Sequence, residues 1–195
     1  MKLHEKRKQE EYYSHIFTKM AGKGLRTVEI PEGVEIAIEN RNVTVKGPKG
    51  EILKELSYPG ISIKTEGKTV VISSISVAKK PRSVVGTYES HIKNMIQGVT
   101  EGFTAEMKAV FAHFPITIKQ EGDIIEIHNF LGEKVPRTGR VMGDAKVKIA
   151  KDSLVIEGIN KEDVGQTAAN IELGTRVTNR DTRVFQDGVY ITKKP

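Results

Sequence analysis

Hydrophobic residues occupy every second position in short runs of the first half of the chain. Valine or isoleucine stands at positions 34, 36 and 38, and again at 43 and 45, with polar or small residues between them. A period of two is typical of antiparallel strands that have one buried and one solvated face. The polar segment 40–42 and the glycine-containing segment 46–50 interrupt the alternation and predict hairpin turns. The pattern therefore predicts a small antiparallel sheet.

This pattern occurs a second time in the chain. Residues 34–99 align with residues 116–177, and the strand-like runs follow each other in the same order in both segments. Both copies end in a helical pattern with a Val-Gly pair, which is Val85-Gly86 in the first copy and Val164-Gly165 in the second. A duplicated small fold presents two similar surfaces. It favours a protein that binds something large over one that builds a single catalytic cleft.

A helix is predicted at the end of each copy. Between Val85 and Val99, apolar residues recur at intervals of three and four, and Pro81 suits the first helical turn. In the second copy, Asn160 followed by Asp163 is typical of a helix start, where a side chain caps the backbone and a carboxylate suits the positive end. We therefore predict an α+β fold of two tandem homologous domains, each an antiparallel sheet layer covered by one C-terminal helix.

The repeat divides the chain into three segments. Residues 1–26 are predicted to form a basic N-terminal extension, residues 27–103 the first α+β repeat, and residues 104–195 the second. Within the extension, residues 5–20 have a partial apolar face that is compatible with a helix. We expect this extension to become ordered only when it is bound.

The charge of the chain points to a polyanionic partner. The net charge is +6 and the isoelectric point is about 9.4. Segment 134–151 has six Lys or Arg against one Asp, and segment 176–195 has five against two. This clustering predicts a basic side, although chance clustering on solvated strands is the alternative. With no cysteine, no signal-like segment and no apolar run of membrane-spanning length, we expect a cytoplasmic protein with no membrane partner.

The residues that usually carry catalysis do not form a recognisable pattern. The five histidines, at positions 4, 15, 91, 113 and 128, are scattered without metal-ligand spacing. The cluster 47–50 does not match a phosphate-binding loop, because Pro48 removes a backbone donor. We expect no catalytic residue, no metal site, no cofactor and no small-molecule substrate.

The C-terminal tail has the most informative set of charges. Arg180 and Arg183 follow the end of the predicted helix, Asp187-Gly188 predicts a turn, and residues 189–191 predict a short strand. The planar guanidinium of arginine binds phosphate in a bidentate way and stacks on bases. A capped helix followed by an edge strand with ordinary surface charge explains the same composition, so both interpretations stay open at this point.

Four motifs make the chain resemble a known family. They are Ile30-Pro-Glu-Gly33 with Val43-Thr-Val-Lys-Gly-Pro-Lys-Gly50, His91-Ile-Lys-Asn-Met-Ile-Gln-Gly98-Val-Thr-Glu-Gly102-Phe103, Ala112-His-Phe-Pro115 with Ile127-His-Asn-Phe-Leu-Gly-Glu-Lys134, and Arg183-Val-Phe-Gln-Asp-Gly-Val-Tyr-Ile191. With these motifs the chain resembles the large ribosomal subunit protein six family in its archaeal and eukaryotic branch, whose eukaryotic member is called protein nine. Leu173 departs from the family pattern, in which we expect a polar residue.

The resemblance implies a function and a site. It implies a structural protein of the ribosome, with no enzymatic activity, that binds and stabilises large-subunit rRNA near the stalk base and the factor-binding region, beside neighbouring large-subunit ribosomal proteins. In the family the second domain makes the main rRNA contact. The charge pattern assigns Lys134, Arg137 and Arg140 to this contact, and the tail assigns Arg176, Arg180, Arg183, Lys193 and Lys194.

Two rival functions stay open at the level of sequence. A tandem protein-binding adaptor would use its basic side only for solubility. An enzyme would need a polar cluster between the domains, where residues 111–115 are mostly apolar.

Overall fold

The computed structural model describes residues 24–39, 41–76, 78–112 and 114–195. The chain divides into two compact units, with the boundary between Ile96 and Gln97. Most of the predicted extension, the helix predicted over 5–20, and His4, His15 and His113 lie outside the described residues.

The first unit contains six strands followed by a long helix, whose last four residues lie beyond the unit boundary. The elements are β1 (Leu25–Glu29), β2 (Glu35–Glu39), β3 (Asn42–Gly47), β4 (Gly50–Glu55), β5 (Ile61–Glu66), β6 (Thr69–Ser74) and α1 (Lys79–Thr100). The strands form two antiparallel sheets, with the orders β2-β3-β4 and β1-β6-β5. Strand β1 therefore includes the last two residues that the sequence assigned to the extension.

The second unit repeats this arrangement and adds one strand. Its elements are β7 (Phe103–Val110), β8 (Thr117–Glu121), β9 (Ile124–His128), β10 (Arg137–Arg140), β11 (Lys146–Ile149), β12 (Ser153–Gly158), α2 (Lys161–Gly174) and β13 (Gly188–Lys193). The sheets have the orders β8-β9-β10 and β11-β12-β7-β13, again antiparallel.

The pairing of the strands confirms the predicted duplication and fold class. Strands β8, β9 and β10 pair as β2, β3 and β4 do, and β7, β12 and β11 pair as β1, β6 and β5 do. The difference from the prediction is that each unit splits its strands into two sheets instead of one layer. In the second unit one core joins both sheets to the helix, since Met107 of β7, Ile125 of β9 and Ile171 of α2 belong to the same buried cluster. Two half-buried sheets each need such a cover for their apolar face.

Helix α2 begins as the sequence predicts. The side-chain oxygen of Asn160 accepts a hydrogen bond from the backbone N–H of Glu162 (3.1 Å), and its amide donates to Asp163 (2.9 Å). The cap satisfies one of the backbone donors that a helix start leaves free. In the described part of the chain, neither α1 nor α2 is long and apolar enough to cross a membrane.

Two glycines allow α2 to lie directly on strand β10. A Cβ atom added to Gly174 would stand 2.8 Å from the backbone oxygen of Thr138, and one added to Gly139 would stand 3.0 Å from the Cα of Ile171. Atoms of an alanine side chain do not fit at these distances. The close approach fixes the last turn of α2 against β10, which matters because the charged tail starts there.

We predict opposite effects for alanine at two glycines of α2. Gly165→Ala should raise the free energy of unfolding by about 0.5–1 kcal/mol, because a helix interior favours alanine over glycine and the nearest atom, in Pro195, is 3.8 Å from the new Cβ. Gly174→Ala should lower the free energy of unfolding by about 1–3 kcal/mol, because the backbone of β10 must move. Denaturant unfolding of both variants measures this difference, and equal shifts of the same sign would contradict the close packing.

Candidate nucleic-acid interface

The guanidinium of Arg137 joins three parts of the second unit. Its Nε and Nη2 atoms donate to the two carboxylate oxygens of Glu133 at 2.7 and 2.8 Å. Its Nη1 donates to the backbone oxygen of Gly174 at 3.4 Å, and its central carbon lies 5.1 Å from the centre of the Phe130 ring. Arg137 thus neutralises a carboxylate and the negative end of α2 at the same time.

The contact with Arg137 changes the pKa of the Glu133 carboxyl group. The hydrogen bond from Arg137 lowers the pKa of Glu133; partial burial opposes the shift, and the charges of Arg137 and Arg180 reinforce it. The same hydrogen bond raises the pKa of Arg137. The charge of Arg180 therefore acts on the loop before β10 without forming an ion pair with Glu133 among the described contacts.

A turn with unusual backbone angles positions Glu133. Asn129 and Leu131 have φ angles of 59° and 50°, in the left-handed region that a leucine rarely adopts. Phe130, which lies between them, is only 1% exposed, and its burial anchors the turn. The Asn129 amide donates to the backbone oxygen of Pro115 (3.2 Å). The turn holds the Glu133 carboxylate where Arg137 reaches it.

The loop between α2 and β13 is fixed at both ends. We call residues 176–187 the arginine loop. The Thr175 hydroxyl oxygen accepts a hydrogen bond from the backbone N–H of Val189 (3.0 Å), so the two ends of the loop lie side by side. The Glu172 carboxylate accepts one from Ile191 (3.1 Å), and the buried carboxylate of Asp187 accepts one from Ala112 (3.2 Å). These bonds hold the loop against the sheet.

Three arginines project from this loop. Arg176, Arg180 and Arg183 are all exposed. The guanidinium of Arg180 lies 4.9 Å from the centre of the Phe185 ring, which favours one orientation of its planar fork. Asp181 accepts a hydrogen bond from the backbone N–H of Arg183 (2.9 Å), which shapes the turn that carries Arg183.

The structure separates Arg140 from Arg137, with which the sequence grouped it. Arg137 pairs with Ile127 and Arg140 with Ile124 in the β10-β9 register, so the two arginines point to opposite faces of β10. Ile127 is fully buried, which places Arg137 on the inner side, whereas Arg140 is exposed on the outer face. Lys134, the third residue of the group, is exposed and follows Glu133 directly in the chain.

The two C-terminal lysines are also separate from the arginine loop. Strand β13 runs from Gly188 to Lys193, a distance of roughly 17 Å at ~3.4 Å per residue. Lys193 pairs with Glu106, and their side chains form an ion pair of 3.5 Å. Lys194 follows it and is exposed. The predicted site is therefore at least two surfaces, with the arginine loop at one end of β13 and the lysines at the other.

Lys193 belongs to a second cationic surface that the sequence did not reveal. On the outer face of the four-stranded sheet, strand pairing brings Lys148 and Lys193 into the row of Glu106, and Lys146 and Lys108 into the adjacent rows. Lys148 forms an ion pair with Glu157 (2.8 Å). Lys108 is the only basic residue of β7, a strand in which buried and exposed residues alternate. Only the strand register therefore shows that Lys108 lies near the other lysines of this face.

Several residues that build the site carry no charge signal in the sequence. Phe130 and Thr175 position arginines but resemble ordinary core residues. Glu133 is detectable, because it stands four residues before Arg137. Among the described residues, no three His, Cys, Asp or Glu side chains come together as metal ligands.

Comparison with known proteins gives one answer. The family model described as Ribosomal protein L6 matches residues 30–102 and 114–188. The chain belongs to the ribosomal protein L6 family. The two matches are the two repeats, so each unit is one copy of the family's module.

Relatives within the L6 family come from archaea. Large ribosomal subunit protein uL6 of Methanocella arvoryzae is 50% identical over 176 residues, which cover 90% of this chain and 99% of the relative. The proteins of the same name from Methanobrevibacter smithii and Methanosarcina mazei are 52% identical over 167 residues and 50% identical over 169 residues. They cover 86% and 87% of this chain, and 94% and 96% of the relatives. These relatives confirm the family and its archaeal branch, and their names assign them to the large ribosomal subunit.

We predict that Glu133 stabilises the second unit in a pH-dependent way. Its folded pKa is below the ordinary value of about 4.3, so its contribution is present above that pH and is lost as the pH falls through the folded pKa. Glu133→Gln should lower the free energy of unfolding by about 0.5–1 kcal/mol at pH 6, and by less at pH 3. Glu121→Gln, at an exposed position of β8, is the control. Denaturant unfolding across this range measures the difference, and a deficit that does not change with pH would contradict it.

Proposed function

We propose that this chain is a structural component of the large ribosomal subunit that binds and stabilises large-subunit rRNA, without catalysing a reaction. The family and the names of its relatives support the ribosomal role. The arginine loop carries the argument for RNA, since it presents three exposed arginines on a backbone that is hydrogen-bonded at both ends. This combination presents three guanidinium groups on a loop that is held in place before binding.

The chemistry of the loop suits double-stranded rRNA. The deep major groove of an A-form helix excludes side chains, so a protein contacts its phosphates and 2′-hydroxyl groups. Arg180 and Arg183 can each offer two parallel N–H groups to a phosphate. Because the loop is held in place before binding, less conformational entropy is lost on contact. Arg176 is exposed in the same loop, and in this proposal Lys134 adds a further positive charge to the rRNA contact.

The other basic residues that the sequence assigned to the rRNA contact have different proposed roles from those of the arginine loop. Arg137 is a positioning residue, because its guanidinium contacts Glu133, Phe130 and Gly174 within the protein. Lys193 and Lys194 contribute to a second contact on the outer face of the four-stranded sheet. Arg140 lies on the outer face of the β8-β9-β10 sheet, where it would meet a different part of the rRNA.

The place near the stalk base and the factor-binding region rests on the resemblance to the family. Sedimentation of the tagged protein from cells separates this proposal from its rivals. A ribosomal component should be found almost entirely with the large subunit. An adaptor or an enzyme should stay mainly in the soluble fraction, and that outcome would reject the proposal.

We predict that Arg180→Ala with Arg183→Ala weakens binding to a large-subunit rRNA fragment. The plot of log affinity against log salt should become less steep by about one unit for each lost phosphate contact. Lys64→Ala with Lys68→Ala, at exposed positions of the first unit, is the matched loss of two cations and should leave the slope nearly unchanged. An unchanged affinity and slope in the double variant would remove the arginine loop from the interface.

A positioning role for Arg137 has a different signature in the same assay. Arg137→Lys keeps the positive charge but loses the planar fork that binds Glu133 and Gly174 together. The affinity for the rRNA fragment should fall severalfold, while the salt slope stays within the error of the original protein. Arg137→Gln also removes the charge, and a slope that decreases by one unit in that variant would instead show that Arg137 contacts a phosphate directly.

A further inference from the structure

The outer face of the β2-β3-β4 sheet is an ordered grid of side chains. The pairing of the three strands places nine residues in three rows, which are Glu35-Lys46-Glu51, Ala37-Thr44-Leu53 and Glu39-Asn42-Glu55. Eight of the nine are exposed and Thr44 is half-buried, whereas Val43 and Val45 on the other face are fully buried. This face therefore looks away from the core of the first unit.

The grid has carboxylates at its four corners and an uncharged middle row. Its single cation, Lys46, forms an ion pair of 3.2 Å with Glu51. Four negative charges against one positive charge leave a net charge of −3. Leu53, in the middle row, is 64% exposed and lies between Glu51 and Glu55 on the edge strand β4. One exposed leucine is ordinary, but a leucine with a carboxylate on either side offers both an apolar contact and charged partners.

The second repeat shows that this charge is not a property of the duplicated fold. On the equivalent face of β8-β9-β10, the register brings together Lys119 and Glu126 in one row, and Glu121 and Arg140 in another. Two cations there balance two carboxylates. The same backbone arrangement thus carries an acidic face in one unit and a neutral face in the other.

We propose that the outer face of β2-β3-β4 binds a lysine- and arginine-rich segment of another protein. RNA phosphates would be repelled by the carboxylates, so the face does not suit the partner of the arginine loop. Along one strand, Glu51, Leu53 and Glu55 are spaced by ~7 Å, which is the spacing of alternate side chains in an extended chain. An extended segment with basic residues at positions i and i+4 and an apolar residue at i+2 therefore matches the face.

A synthetic peptide tests this match on the full chain. The probe is Gly-Ser-Lys-Arg-Leu-Arg-Lys-Ser-Gly, and its binding is measured by titration calorimetry or fluorescence anisotropy. Replacing the peptide leucine with serine, or changing the protein by Leu53→Ser, should weaken binding severalfold. Glu39→Gln with Glu55→Gln should weaken it about tenfold. No detectable binding to the original protein, or equal binding of the serine peptide, would overturn the proposal.

The control variant carries the same charge change on the other sheet of the first unit. Glu29→Gln with Glu66→Gln alters two exposed carboxylates at the ends of β1 and β5. This variant should bind the peptide within about twofold of the original protein, since exposed charges away from the contact contribute little. Weakening equal to that of the Glu39 and Glu55 variant would show that the peptide responds only to net charge.

A photoreactive amino acid in place of Leu53 tests the proposal in the assembled large subunit. The expected product is a cross-link to a protein segment rich in lysine and arginine, identified by mass spectrometry. A cross-link to rRNA, to a neutral or acidic segment, or to a second copy of this chain would overturn the proposal, and so would no cross-link. The proposed rRNA contact uses the other unit, so its failure would appear separately, as loss of the chain from the particle.

Discussion

The bidentate contact between Arg137 and Glu133 is the interaction on which the candidate interface depends. It brings the loop before β10, the buried ring of Phe130 and the last turn of α2 to one point. The negative end of a helix and a nearby carboxylate would otherwise attract the arginines of the loop. Arg137 donates hydrogen bonds to both groups, while Arg180 and Arg183 are exposed to solvent. Arg137, which its charge had suggested as an rRNA contact, thus makes its described contacts within the protein.

Duplication explains how one backbone arrangement came to carry two kinds of surface. The strands of the two units pair in the same order in both of their sheets, and the second unit has one further strand, β13. The arginine loop is the segment that leads into this added strand. The acidic grid of β2-β3-β4 lies in the other unit, on a face whose counterpart in the second unit has balanced charge. The shared fold supplies the sheets, and the surface residues give each sheet a different charge.

The sequence predicted the regular parts of this structure well. The alternation around Val43 and Val45 predicted buried strand positions, and both residues are fully buried. Asn160 predicted the start of α2 because capping is a local property. The grouping of basic residues was less predictable, because it depends on register and strand length. One residue more or less turns a side chain to the other face, which separates Arg137 from Arg140, and the length of β13 separates Lys193 from the arginine loop.

A high-resolution map of the large ribosomal subunit with this chain bound would show directly what the arginine loop contacts. We expect the guanidinium groups of Arg180 and Arg183 within hydrogen-bond distance of rRNA phosphates or 2′-hydroxyl groups. We also expect Arg137 to keep its contacts with Glu133 and Gly174 in the bound state. An arginine loop that faces solvent, or an Arg137 that has left Glu133 to contact rRNA, would show that the proposed interface is wrong.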